Sequence, residues 1–417
     1  YEGSDGKSYQ VSTKDFVSLT EPEEISYTKE SVTGALPEGA AEAGVFEATK
    51  EEYERIINKW QRVVNTTVSE PGDLVLEKGE EFSEEQLPEK ITANYSDGSE
   101  KQFGVVWNAE ELAAVDTSVP GTYEVTGTLN QPEYSDILVE QRADPWTFLG
   151  DDGYYYFTGS YPVKGQEEEN QGIGYDRIVL RRSKTIQGLS TAEEATIWEP
   201  SEQTGTYRYI WAPEIHQIDG IWYVFFTASI DPYNTYNIRP HVLKCTGGDP
   251  MDPNSWELHR MQAVEGDTFA VQQFSLDMTC FESAGQYYVS WAANPGDFSN
   301  LYIASIDPEE PWQLTSECTK ISMPDFAWEN PINEGPAVIK NDGKVYLCYS
   351  AAAVNYTYCV GMLMADEGAD LLDADSWTKY PVPLLSTYDF ENQCGPGHNS
   401  FTVDENGNPV IVYHARP

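Results

Sequence analysis

The sequence predicts an all-β protein, a five-bladed β-propeller with a small β-sandwich ahead of it. Three observations carry this reading. First, a turn containing glycine followed by an aromatic strand recurs five times: DGYYYFTGS (Gly153), DGIWYVFFTAS (Gly220), AGQYYVSWAAN (Gly285), DGKVYLCYSA (Gly343) and NGNPVIVYHA (Gly407). The intervals are 67, 65, 58 and 64 residues, too long for a sandwich and suited to repeated four-stranded units. Second, Trp198, Trp256, Trp312 and Trp377 follow the second hairpin-like segments RIVLRRSKT, HVLKC, NLYIAS and VGMLMA. Third, the 417 residues are rich in Tyr (27) and Trp (11), which favour strands and also form flat surfaces on which sugars stack.

Residues 1 to 64 are mixed and polar. Within them ATKEEYERIINKWQRVV (48 to 64) places Tyr53, Ile56, Ile57, Trp60 and Val63 at helical spacing, which predicts a linker helix. The opening YEGSDGKSYQ lacks a signal-peptide pattern and reads as the interior of a longer protein. From 65 to 135, short alternating runs flank Ser96-Asp97-Gly98, and PGTYEVTGTLN alternates through Tyr123, Val125 and Gly127. YSDGS and PGTYEVTGTL together resemble bacterial immunoglobulin-like repeats of surface enzymes, which implies a small β-sandwich acting as a spacer. Residues 136 to 417 hold the repeat.

The formal net charge is −44, which argues against nucleic acid and anionic membranes as partners. No apolar run reaches about 18 residues, so no transmembrane helix is expected. Six cysteines, at 245, 280, 318, 348, 359 and 394, form no CxxC pair, and a zinc site is not expected. Cys348 and Cys359 lie in successive strand-like runs and could face each other; buried free thiols are the expected state. No GxSxG elbow or GxxxxGK[ST] loop occurs, and GIGYDR near Gly172 reads as a loop.

The first strand of each propeller blade lines the axis, so equivalent positions on these strands converge. Counting back from the five glycines reaches Asp144, Trp211, Asp277, Glu334 and His398, by nine, nine, eight, nine and nine residues. A lone Glu334 before a strand would ordinarily be a solvated acid, and a lone His398 a core residue. The shared register instead predicts one pocket with three carboxylates, a histidine and an aromatic wall. That set suits glycosidic bond hydrolysis, which needs one acid for the leaving oxygen and one base for water.

In order, RADPW (142 to 146), IWAPEIH (210 to 216), FSLDMT (274 to 279), NEGPA (333 to 337) and GPGHNSF (395 to 401) resemble the five blade-start motifs of glycoside hydrolase family 43. The resemblance covers about residues 140 to 417. It implies a five-bladed propeller that hydrolyses arabinan, arabinoxylan or xylan-derived sugars with inversion. It implies Asp144 as general base, Glu334 as general acid and Asp277 as the residue tuning and positioning the acid. It also implies Trp211 as a stacking surface, and His398 at the substrate and on a hydrated axial cation, often calcium. Glu214 is expected to bond sugar hydroxyls. YDRIVLRRSKTIQGLS, WAPEIHQIDGIWYVFF and MADEGADLLDADSWTK are similar to exo-acting α-1,5-L-arabinofuranosidases of this family. The expected partner is plant cell-wall arabinan, arabinoxylan or derived oligosaccharides, met outside the cell or on a bacterial surface. A β-xylosidase, a galactofuranosidase and a non-catalytic sugar-binding propeller are the alternatives. Family members continue beyond YHAR, whereas this chain stops at Pro417; either the sequence is cut short or residues 136 to 142 do more of the closing of the last blade.

Overall fold

The computed structural model of the chain describes residues 7–12, 20–25, 48–130, 134, 137–162, 174–234, 236–296 and 298–417. The first two residues of GIGYDR and the opening residue of the 136–142 segment lie outside the described residues. The chain divides into two units, Tyr1–Lys59 and Trp60–Pro417.

In the first unit, Ser8–Gln10 pairs antiparallel with Glu23–Ile25. The predicted helix spans Lys50–Trp60 and so ends four residues before the predicted limit. Its start is fixed by a reciprocal cap. The Thr49 amide donates to Glu52 at 2.8 Å, and the Glu52 amide donates to the Thr49 hydroxyl at 3.2 Å.

The second unit begins with a four-stranded sheet of Asn65–Val68, Lys90–Tyr95, Glu100–Trp107 and Gly127–Leu129. Ser96-Asp97-Gly98 is the hairpin predicted there: the Gly98 amide donates to the Tyr95 carbonyl at 3.0 Å. Glu100–Trp107 pairs with Lys90–Tyr95 through its first half and with Gly127–Leu129 through its second. Among the described residues there is no second facing sheet. The run Tyr123–Thr126, expected to be strand, is irregular and only Gly127–Leu129 pairs.

Five antiparallel sheets follow in chain order, each a meander. The first holds Ala143–Leu149, Tyr155–Ser160, Ile178–Ser183 and Ala195–Trp198; the second, Trp211–Ile218, Ile221–Ser229, Ile238–Cys245 and Trp256–Arg260. The third holds Ser275–Ser283, Gln286–Ala293, Asn300–Ser305 and Thr319–Ser322; the fourth, Asn333–Asn341, Lys344–Ala351, Cys359–Asp366 and Thr378–Lys379. The fifth has two strands, Cys394–Val403 and Pro409–Arg416, where four were expected. Residues 137–142 form no strand; instead Leu138 and Val139 pack with Val410 around Tyr155, Phe157, Ile186 and Leu189.

The aromatic second strands are the core. Tyr156, Tyr223, Phe225, Phe226, Trp291 and Tyr349 are fully buried between neighbouring sheets, and each removes on the order of 2 kcal/mol of apolar surface from water. The five hairpin glycines all sit at positive φ, from +70° to +83°. Asp219-Gly220, Ala284-Gly285 and Asp342-Gly343 form two-residue turns with both residues at positive φ, the mirror-image turn whose twist matches the strands. The first and fifth sheets have five-residue loops instead, between Leu149 and Tyr155 and between Val403 and Pro409. Trp198, Trp256 and Trp377 accompany fourth strands, whereas Trp312 lies in a loop and stacks on His259 at 3.5 Å between ring centres. All six cysteines are free thiols.

Candidate active site

Each of the five first strands carries the same irregularity. Pairing is interrupted after Ala143, Trp211, Leu276, Glu334 and Gly397, and resumes at Trp146, Glu214, Thr279, Ala337 and Ser400. The first residue inside each break has a left-handed backbone: Asp144 (φ 52°), Ala212 (45°), Asp277 (55°), Gly335 (55°) and His398 (43°). Four of the five are not glycine, although this conformation strains a residue with a Cβ. The bulge frees their amides from the ladder, and four donate to the preceding sheet. Ala212 donates to the Ser160 hydroxyl at 2.9 Å, Gly335 to Asp277 at 3.2 Å, His398 to the Ser350 hydroxyl at 2.5 Å and Asp144 to His414 Nδ1 at 3.0 Å. The last bond joins the fifth sheet back to the first.

This register corrects the count made from sequence. Asp144, Asp277 and His398 are equivalent, but their counterparts in the second and fourth sheets are Ala212 and Gly335; Trp211 and Glu334 stand one residue earlier. The cause is the hairpin. Sheets with two-residue turns place the bulge eight residues before the glycine, and those with five-residue loops place it nine before.

The bulges still bring Asp144, Asp277, Glu334 and His398 together. His398 Nδ1 lies 3.1 Å from Asp144 Oδ1 and 3.9 Å from Asp277 Oδ2. Ser160 donates its hydroxyl proton to Asp144 and receives the Ala212 amide, so one side chain ties the first sheet to the second. The Tyr358 hydroxyl donates to Glu334 Oε1 at 2.7 Å. Gly335 is required twice over: its φ is +55°, and an added Cβ would meet His398 Cγ and Nδ1 at 3.0 Å.

Three carboxylates this close cannot all be ionised, and the surroundings sort them. Burial alone would raise Asp144, but the charge and hydrogen bond of His398, with His414, hold it well below the usual carboxylate range. Burial raises Glu334, and the Tyr358 hydrogen bond and His398 only partly oppose this. Burial also raises Asp277 well above its usual range; His398 opposes, while Glu334 and Asp144 add repulsion. The imidazole answers in kind: burial disfavours its charge, but Asp144, Asp277 and Glu334 outweigh that and push His398 up to about 10. The site therefore tunes one carboxyl, Asp144, toward its ionised form and two, Asp277 and Glu334, toward their protonated forms.

Glu214 lies beneath this group. It is 3% exposed, its Oε2 is 2.9 Å from His216 Nε2, and burial raises its pKa well above the usual range, with Thr279 donating to it. It has a protein partner and little exposed surface. Burial pushes His216 down to about 3 and Glu214 up, so both partners are tuned toward their neutral forms. Trp211 is half-buried beside Tyr209 (ring centres 4.6 Å) and Tyr175 (6.2 Å), forming an aromatic wall one residue from Ala212.

Sequence reasoning missed Ser160, Ser350, Tyr358 and His414. Ser160 and Ser350 could have been found, because both lie near the ends of the recurring aromatic second strands. Tyr358 and His414 have no local signal; they reach the site only through packing, with their rings stacked at 5.7 Å.

Comparison with known proteins agrees with this architecture. Residues 135–417 match the family described as Glycosyl hydrolases family 43, and residues 59–132 match the bacterial Ig-like domain (group 4). The chain is 43% identical over 288 residues to an extracellular exo-α-(1→5)-L-arabinofuranosidase of Streptomyces avermitilis, covering 68% of this chain and 56% of that protein. It is 40% identical over 306 residues to the protein of the same name from Streptomyces chartreusis, covering 72% of this chain and 87% of that one. The chain thus spans little more than half the length of the first of these relatives. Among solved structures, an α-L-arabinofuranosidase from Lactobacillus brevis superposes with a TM-score of 0.60 at 38% identity, over 68% of this chain and 86% of that one. No helix among the described residues is long and apolar enough to cross a membrane.

Proposed function

Residues 135–417 belong to glycosyl hydrolase family 43, a β-propeller family, and from that membership and the sorted carboxylates we propose that the chain is an inverting exo-α-L-arabinofuranosidase. The five sheets are then five blades, closed between the fifth and first by the Asp144–His414 bond and by a 3.1 Å bond from the Thr147 amide to the Ser400 hydroxyl. The working boundaries are 1–64 for the N-terminal segment and linker helix, 65–135 for the immunoglobulin-like spacer and 136–417 for the catalytic propeller. The substrate is arabinan, arabinoxylan or a derived oligosaccharide. The extracellular names of two relatives favour action outside the cell.

The observation that carries this is the opposite tuning of Asp144 and Glu334. Asp144, kept ionised, takes a proton from water as its oxygen bonds the anomeric carbon. Glu334, kept protonated, gives its proton to the glycosidic oxygen as that bond breaks. Asp277 fixes the bulge of the acid through the Gly335 amide, while burial and the Asp144 charge raise the acid's proton affinity. Trp211 supplies the stacking wall. Glu214, bonded to His216, contributes through its electrostatic coupling to Asp277.

Calcium fits His398 in one respect. Its Nδ1 is turned to Asp144, so Nε2 is the nitrogen that would face an ion, but only in the neutral ring, against the carboxylates that push its pKa up to about 10. Among the described residues no cluster of three or more His, Cys, Asp or Glu side chains is set to hold a metal, so an ion at Nε2 would draw most of its shell from water. Bound there, it would add positive charge near Asp144.

The test is product analysis on linear arabinan with NMR of the first sugar formed. Arabinose alone, with inverted anomeric configuration, is the expected result. Retained configuration refutes the base and acid roles; oligosaccharide products refute exo action.

A further inference from the structure

We infer that Asn333, clamped by the buried Glu329, is a positioning residue for Glu334. This rests on the reading of Glu334 as the acid. Glu334 is held weakly by its own strand, because pairing with Lys344–Ala351 breaks directly after it and resumes at Ala337. The backbone ahead of the carboxyl is therefore set by the bulge, and its orientation depends on what grips the residue behind.

Asn333 is completely buried and gripped at both ends. Its amide donates to the Ser299 carbonyl at 2.9 Å, and its carbonyl accepts from the Ser299 hydroxyl at 3.2 Å. Its side-chain oxygen accepts from the Ser322 hydroxyl at 2.7 Å, and its side-chain nitrogen donates to Glu329 Oε1 at 3.2 Å. Main chain and side chain are thus fixed to the third sheet and to the loop that delivers the fourth.

Glu329 makes this grip rigid. It is itself fully buried, and its carboxylate accepts from Tyr349 at 2.6 Å, from Lys379 at 2.9 Å and 3.1 Å, and from the Asp325 and Phe326 amides at 3.1 Å and 2.8 Å. Lys379 also pairs with Asp325 at 2.6 Å. A carboxylate so enclosed would be costly without its cation, and a satisfied network of this kind has one arrangement rather than several. The stiffness passes through Asn333 to Glu334, whose far side is met by Tyr358.

The experiment compares kcat/KM on an arabino-oligosaccharide, whose leaving alkoxide needs protonation, and on a nitrophenyl arabinofuranoside, whose leaving group needs little. A misplaced acid harms the first more than the second. A displacement of about 1 Å costs on the order of 100-fold, so Asn333→Ala should lose about that on the oligosaccharide and under about 10-fold on the nitrophenyl substrate. Glu334→Gln should show the same asymmetry, larger. Tyr349→Phe, which keeps the ring and removes one bond to Glu329, should show it in smaller measure. Equal losses on both substrates for Asn333→Ala, or no loss, overturn the inference while an asymmetric Glu334→Gln leaves the acid standing. A symmetric Glu334→Gln overturns both. Should Asn333→Ala fail to fold by circular dichroism, Tyr349→Phe decides, and symmetry there refutes.

Discussion

Replacing Tyr358 with Phe should move the alkaline side of the pH–rate profile upward. The Tyr358 hydroxyl donates to Glu334 Oε1 at 2.7 Å and favours the ionised acid. The other titratable groups facing Glu334 are His398, Asp144, Asp277 and His414, all untouched by the change. A hydrogen bond to a charged group contributes about 1.5–3 kcal/mol, which corresponds to about 1–2 pH units. The ionised acid loses that stabilisation in the variant, so Glu334 holds its proton to higher pH. Activity requires Asp144 ionised and Glu334 protonated. It is lost as pH falls through the depressed Asp144 pKa and as pH rises through the raised Glu334 pKa. Only the second limb should shift, by about 1 unit in kcat/KM measured from pH 4 to 10 on an arabino-oligosaccharide. Tyr358 is 1% exposed, and its ring still fills the space against Gly397, so the variant should fold. An alkaline limb that stays in place or moves down refutes the assignment of Glu334 to that limb.

Asp144→Asn should be crippled on oligosaccharide and nitrophenyl substrates alike, by about 100-fold or more, because both need activated water; steady-state rates that spare the nitrophenyl substrate contradict a base at this position. His398→Ala should lower turnover more than melting temperature, since it removes the proton donor on Asp144, and chelation with calcium add-back should act in the same direction if an ion sits at Nε2. Full activity in both experiments would make His398 a packing residue. Gly335→Ala combines a left-handed backbone, costing about 1–2 kcal/mol, with a 3.0 Å contact on the His398 ring. It should lower both the denaturant midpoint and activity, and an unchanged midpoint argues against the strain.

Much of the architecture was legible because its causes are local. A hairpin glycine at positive φ and an aromatic second strand are short-range signals, and five copies made the period visible. The meander order followed from the same signals. The immunoglobulin-like module was legible only in its Ser96-Asp97-Gly98 hairpin and the strands beside it, since Tyr123–Thr126 alternates in sequence without a partner strand to pair with. The last sheet was over-read: its two strands lean on the first sheet through His414 and Ser400, and no repeat in the sequence reports such a contact.

By itself the sequence pointed to the acids and the histidine that the structure brings together, because they recur at the starts of the five first strands. It also determined the excess of negative charge and the aromatic surfaces suited to a neutral sugar. Only the tertiary structure decided their register and their protonation. Turn length, two residues or five, shifts the count by one, and at Asp144 and His398 the amide that the bulge frees finds its acceptor on the neighbouring sheet. Nor could spacing show that Asp144 and Glu334 are tuned in opposite directions. That difference comes from an imidazole 254 residues along the chain, which lowers Asp144, and from burial, which raises Glu334 against the hydrogen bond of a phenol 24 residues away, so it is a property of packing.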